Sequence, residues 1–456
     1  MSYHIALPCL RARPSESRRA PRGVRCWLPS VRAGSVLALV LPLALMPATA
    51  LAQPAAPLTL ADALKIATAR SAQITAAEAA ARGASSAALA AGELPDPVLK
   101  FGVDNLPIDG PDRFSTARDG MTMRRIGVMQ EMPLAEKRRL RRERMEADAV
   151  REQLGGAVAR AALQRDTALA WLDRLFADRQ IETLGDQRAE LDLAIAAADA
   201  AYRSNRGARF DIVAAQAARA QLDDRVAQLE RQRAGAVIQL SRWIGDAAQR
   251  PAGPAPDWLV TPPHADHLEA SIEDHPDLAL AARQEAIAAL DLKLAEAATR
   301  PDWSWELTYQ QRGSSYPSMI SFGVSIPLPV AQASRQDREI AAKRAAQDQA
   351  RALRDDLRRA HLAEARALAT EWDSLRDRLR RYDTTLIPLA RERAAATLDA
   401  YRAGAAMLAQ VLEARRNEID VRLMRLDLER DCARAWAQLA YLIPDKSERE
   451  SSLEQP

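Results

Sequence analysis

His264, His267, Asp274 and His275 fall close together in the chain. Imidazole nitrogens and carboxylates are the ligands of divalent metals such as zinc, and His264-x-x-His267 would set two rings together on one helical turn. No cysteine and no second tight pair completes a ligand set there. The stretch is therefore read as a polar linker, and no metal ligand is assigned. Met121, Met123 and Met129 are a second candidate, because thioethers suit soft Cu(I). On a strand they share parity with Arg125 and Glu131. Met is also a common filler of irregular space, so no site is assigned here either. His361 stands alone in a long helical stretch and is read as a packing or solvent-facing residue. There is no Gly-x-Ser-x-Gly elbow, no phosphate-binding loop and no His-Glu-x-x-His pair. The sequence points away from an enzyme, with no catalytic residue and no cofactor expected.

The elements that would position these residues come in two kinds. From Trp303 to Leu328 the chain alternates with period 2. Trp303, Trp305, Leu307 and Tyr309 share one face against Ser304, Glu306, Thr308 and Gln310. After a Gly/Ser/Pro-rich turn, Ile320, Phe322, Val324 and Ile326 oppose Ser321, Gly323 and Ser325. Strands at about 303–311 and 318–327 are expected, each close to the 9–11 residues that cross a bilayer as a tilted strand. An unlike pair of faces suits a barrel with a wet lumen and an apolar exterior. An ordinary soluble hairpin with one buried face fits this stretch equally well. A matching hairpin is expected earlier, at about 98–106 and 121–132. Leu99, Phe101 and Val103 alternate there with Lys100, Gly102 and Asp104. Pro95-Asp96 and Met132-Pro133-Leu134 reappear as Pro301-Asp302 and Ile326-Pro327-Leu328.

The rest reads as helix. Thr59 is a candidate first cap, with Asp62 three residues on. Long helical stretches follow each hairpin, from about 135 to 203 and from about 334 to 402, each roughly 100 Å long at ~1.5 Å per residue. Leu368, Trp372, Leu375, Leu379, Tyr382 and Leu386 step in alternating fours and threes, the spacing of coiled-coil packing. Gly207 and Gly404 mark similar turns into return helices. Leu222, Val226, Leu229, Arg233, Ala236 and Leu240 recur as Ile419, Leu423, Leu426, Arg430, Ala433 and Ala437, arginine included. The chain is thus a tandem duplication. Its expected divisions are a first repeat at 53–245, a Pro/Gly-rich linker at 246–266, a second repeat at 267–443 and a disordered charged tail at 444–456.

Composition and the N-terminus bound the setting. Net charge is only +3 over 456 residues, which gives no argument for a nucleic-acid partner, and aromatics are 4%. Of Cys9, Cys26 and Cys432, two precede residue 52, so one thiol and no internal disulfide are expected in the mature chain. Arginines up to Arg32, an apolar run from Val36 to Met46 and Ala50-Leu51-Ala52 before Gln53 make residues 1–52 a secretory signal peptide. No Cys follows the cleavage site, so no lipid anchor is expected there. No other stretch reaches the ~20 apolar residues of a transmembrane helix, and a membrane role would have to use strands.

The signal peptide, duplicated halves, two hairpins and long paired helices together resemble the TolC-like outer-membrane factor family across nearly the whole mature chain. The most specific signals are the turns, Gly207-Ala-Arg-Phe-Asp211-Ile-Val-Ala-Ala-Gln216 and Gly404-Ala-Ala-Met-Leu-Ala-Gln410-Val-Leu-Glu413. The hairpin flanks look most like the heavy-metal-efflux, CzcC-like branch. The resemblance implies a mainly α fold whose helical barrel continues a small β-barrel, with four strands from each chain of a homotrimer. Closing a barrel from four strands demands further copies in any case. It also implies an outer-membrane location extending into the periplasm, and a passive exit duct fed by a periplasmic adaptor and an inner-membrane RND-type pump. The return helix after the second turn carries acidic residues that ring the entrance in this family. Gln410 and Glu413 fall at those positions, with only the second charged, and Asp211 and Gln216 sit at the matching tip. Gly207 and Gly404 would supply the adaptor-contact turns; Trp303, Trp305, Leu307, Phe322 and Val324 would face outer-membrane lipid. The same resemblance allows a drug-efflux or protein-secretion duct. A periplasmic coiled coil without a pore is the reading from another class, and the hairpins argue against it.

Overall fold

The computed structural model describes residues 56–205, 207–262, 267–313 and 315–442. The expected signal peptide, His264 and the charged tail lie outside the described residues. The first half runs α1 (Leu60–Arg70), α2 (Ala72–Ala91), β1 (Val98–Asp104), β2 (Met123–Met132), α3 (Ala135–Arg203) and α4 (Arg209–Ile244). The second runs α5 (Leu268–Ser271), α6 (Pro276–Ala297), β3 (Trp303–Gln311), β4 (Met319–Ser325), α7 (Gln336–Arg381), α8 (Ile387–Arg402) and α9 (Leu408–Ala440). Thr59 caps α1 as its spacing predicts: its hydroxyl accepts the Asp62 N–H at 3.1 Å. No described helix is long and apolar enough to cross a membrane.

The strands fall inside their expected ranges and form one antiparallel meander, β1-β2-β3-β4. The two hairpins are joined by β2 against β3, so the sheet unites the two halves. β1 stops at Asp104 because Asn105 turns into the left-handed region, at φ 54°. Asp302, just before β3, ties the base of the sheet to α3. Its carboxylate accepts the Leu134 N–H at 3.0 Å and pairs with Lys137 at 3.0 Å. Burial opposes ionisation of Asp302, but these hydrogen bonds and charges hold its carboxyl below the usual range.

The helices pack as two long hairpins, α3 with α4 and α7–α8 with α9, and α3 and α9 also meet. The principal core lies midway along them, around Trp171, Phe176, Leu240, Trp258, Trp372, Leu375 and Cys432. A second apolar layer, Leu184, Leu191, Leu222, Leu229, Ile419 and Leu423, follows toward the turns. A third, around Ala198, Leu408 and Val411, closes the tip. The matched arginines of the return helices reach carboxylates instead of the core: Arg233 pairs with Asp178 at 2.6 Å and Arg430 with Asp427 at 3.1 Å.

Two stretches pack in ways their spacing and composition do not indicate. The spaced row on α7 is buried at Trp372, Leu375 and Leu379, but Leu386 is exposed. A π turn at Tyr382–Leu386 intervenes. Pro388 lacks an N–H and its ring crowds the carbonyl four residues back, so the helix widens there and the apolar stripe rotates away. The stretch after α4 also packs rather than merely linking. Ala248 and Trp258 are buried, and Leu58 bonds both Pro251 and Gly253 at 2.8 Å.

Candidate duct surfaces and a histidine pair

The sheet has two unlike faces, and its register fixes which residues share them. Leu99, Val128, Leu307 and Phe322 stand in one row across all four strands, and Phe101, Ile126, Tyr309 and Ile320 in the next. All eight are exposed large apolar side chains, Phe101 at 81% and Phe322 at 68%. Trp303 is also exposed; Trp305, opposite Val324, is half-buried. An exposed apolar face this broad on a folded sheet marks a surface made for a non-aqueous or protein neighbour.

The other face is polar and internally paired. Lys100 reaches Glu306 at 2.7 Å, and Arg125 stands 3.5 Å from Asp104. Lys100 passes over Gly127, its opposite on β2. A Cβ at Gly127 would lie 2.6 Å from the Thr308 hydroxyl and 3.0 Å from the Leu307 carbonyl, so only glycine fits. Met123 and Met129 do share this face with Arg125, but Met121 lies before the strand. Met123 and Met129 are six residues apart, about 20 Å along a strand. The three methionines therefore cannot hold one ion, and the Cu(I) candidate fails on distance.

At the helical tip the expected entrance residues divide. The Asp211 carboxylate accepts the Ala208 N–H at 3.1 Å, and the Gln410 amide oxygen accepts the Met407 N–H at 3.0 Å. Both cap the start of their helices, α4 and α9. Ala208 and Met407 have no side-chain acceptor to cap in return, and the side chain three residues on takes up the N–H. Gln216 and Glu413 are exposed. Glu413 borders a groove between α4 and α9 that Arg225, Arg416 and Asp420 also line. The two glycines act differently. Gly404 adopts φ 76°, which favours glycine, with open space where a Cβ would be. At the first turn Asn205 takes the left-handed conformation, at φ 55°. Gly207 is needed for closeness: a Cβ there would stand 3.0 Å from that of Ala201.

Spacing alone missed two features. Glu418 is buried, held by Arg415 at 3.0 Å and by Arg422 at 2.5 Å. His361 is not solitary. Its ring stacks on His275, with centroids 4.0 Å apart and planes 25° apart. Burial, reinforced by the charges of His361 and Arg165 against the pull of Asp277, pushes His275 down to about 4. Of the four residues first grouped near the linker, His275 thus meets a distant helix, and His267 is exposed.

Known proteins fit this architecture. Residues 268–443 match the family model described as outer membrane efflux protein. A membrane protein of Pseudomonas aeruginosa has a similar structure, with a TM-score of 0.73 and 16% identity over 84% of this chain and 92% of that one. The outer membrane protein VceC of Vibrio cholerae gives 0.69 and 16% over 84% and 95%. The open state of the MtrE outer membrane channel of Neisseria gonorrhoeae gives 0.63 and 15% over 84% and 88%. No curated protein matches. At these identities the likeness shows the fold, which is that of an α-barrel continuous with a small β-barrel.

Proposed function

We propose that this chain is one subunit of an outer-membrane efflux duct. The observation that carries this reading is the sheet: four strands with a wide exposed apolar face, a polar opposite face and two unpaired edges, at the end of a helical body about 100 Å long. Open edges cannot face hydrocarbon, so β1 of one copy must pair with β4 of the next. Three copies close a barrel of twelve strands. The exposed run Ile326, Leu328 and Val330 beside β4 is apolar surface that such a neighbour would cover. The helices extend the pore into the periplasm, where the turns at Gly207 and Gly404 meet an adaptor, which in turn engages an inner-membrane pump. The duct moves its cargo passively and does no chemistry of its own.

For the cargo we infer heavy-metal cations, because the hairpin flanks resemble that branch of the family. The reading is tested in two steps. Purified protein reconstituted in planar bilayers should form trimers with discrete conductance; a monomer in solution without channel activity overturns the duct. Deletion of the gene should sensitise cells to heavy-metal salts more than to a drug panel. Sensitivity to drugs alone keeps the duct and replaces the cargo.

A further inference from the structure

We propose that His275, Asp277 and His361 form a binding site for a divalent transition metal of the zinc class. One donor atom from each lies within 4.8 Å of the others. Asp277 Oδ2 is 3.4 Å from His361 Nε2 and 3.9 Å from His275 Nδ1. Ligands on a tetrahedral zinc with bonds of about 2.0–2.1 Å stand roughly 3.3 Å apart. The first separation is already at that value, and the second needs to close by about half an ångström; the two rings, stacked with planes 25° apart, must also turn so that their in-plane lone pairs converge on the ion.

His361 makes the case independently of spacing. Both its ring nitrogens are shielded from solvent and neither has a hydrogen-bond partner. Each instead faces a carboxylate, Nε2 toward Asp277 and Nδ1 toward Glu364 at 3.5 Å. Ligation requires the neutral ring, with the lone pair on Nε2 and the proton on Nδ1. A cation between Nε2 and Asp277 then bonds to both. Nδ1–H then faces Glu364, the carboxylate–histidine–metal arrangement that orients and strengthens a ligand. On His275 the lone pair on Nδ1 now accepts the Asp277 N–H at 3.1 Å. Ligation replaces that cap and leaves the proton on Nε2.

The surroundings suit the assignment. Pro276 starts α6 directly after His275, which fixes the ring beside α7. Ile272, Leu278, Leu357 and Ala365 make the neighbourhood apolar, and low dielectric strengthens a metal–carboxylate bond. Arg358 is engaged by Glu273, leaving Arg165 as the cation that acts on His275. Two imidazoles and one carboxylate disfavour Mg2+ and Ca2+, which take oxygen ligands, and lack the thiolates that select Cu(I). Zn2+, Ni2+, Co2+ and Cu2+ fit. The bound ion would pin the start of α6 to the middle of α7.

The test uses the full chain in detergent, purified without a polyhistidine tag and stripped with a chelator. Calorimetric titration with Zn2+ should show one ion per chain at micromolar affinity or tighter, with no response to Mg2+. His361→Gln and Asp277→Asn should each weaken binding at least about tenfold. Crystals of the wild type soaked in Zn2+ should give an anomalous peak beside His361 Nε2, which decides the matter if a variant fails to assemble. Absent binding, wild-type affinity in both variants, or an anomalous peak elsewhere overturns the site. The duct reading stands apart from all three outcomes.

Discussion

Trp171 on α3 and Trp372 on α7 are counterparts in the two halves. Each is buried, and each indole N–H donates to a carbonyl of the segment leading into its own half: Leu58 at 3.1 Å and Trp258 at 2.9 Å. A buried indole–carbonyl hydrogen bond thus recurs in both halves along with the helix pattern. Substituting phenylalanine keeps an aromatic ring but removes the donor, at a cost of roughly 1–3 kcal/mol where a buried carbonyl loses its partner. The Leu58 carbonyl still accepts the Gly253 N–H at 2.8 Å, so Trp372→Phe should lower the thermal midpoint of the helical signal more than Trp171→Phe. An unchanged midpoint in Trp372→Phe would show that water replaces the indole there.

The register of the sheet makes a second prediction. Phe322 and Ser321 are adjacent on β4 but point to opposite faces. Phe322→Arg on the proposed lipid face should cost about 2–4 kcal/mol per chain near the bilayer midplane. Ser321→Arg on the wet face should be far milder. Trimer yield on unheated gels measures the difference; equal loss would reverse the face assignment.

Glu413 is the charged residue proposed for the periplasmic entrance. Repeated around a three-fold axis, its carboxylates should attract cations. Glu413→Gln should reduce cation preference, and block by multivalent cations, in single-channel recordings. The trimer should persist, since the tip is far from the barrel. Identical recordings would leave Glu413 as a surface carboxylate.

Cys432 is fully buried, and burial pushes its thiol up to about 12. A thiol raised above its unfolded value contributes stability below that value. The contribution is lost as pH climbs from about 8.5 toward 12. Wild type should therefore lose thermal stability across that range more steeply than Cys432→Ala. Maleimide labelling should be slow until the helices unfold. Rapid labelling of the folded trimer would show that the core around Cys432 opens.

Much of this protein was legible as periodicity. Period 2 around Trp305 and Phe322, the spaced row at Trp372 and Leu375, and the recurrence of Arg233 as Arg430 are local properties of a chain. They determine which face of an element is apolar and that the halves repeat. They do not say what that face meets. His361 could only be read as solitary, because its partner His275 lies on a different helix and no spacing rule connects them. Asp211 and Gln410 stand at the expected entrance positions, and each turns back to a backbone N–H, a choice made by side-chain torsion rather than by position along the helix. Leu386 fitted its row until the missing donor of Pro388 widened the turn before it. The stretch after α4 looked like a linker by composition, yet Ala248 and Trp258 fill the core because folding brings the start of the chain to them. Periodicity sets the elements; the apposition of residues far apart in the chain, decided only on folding, sets the contacts.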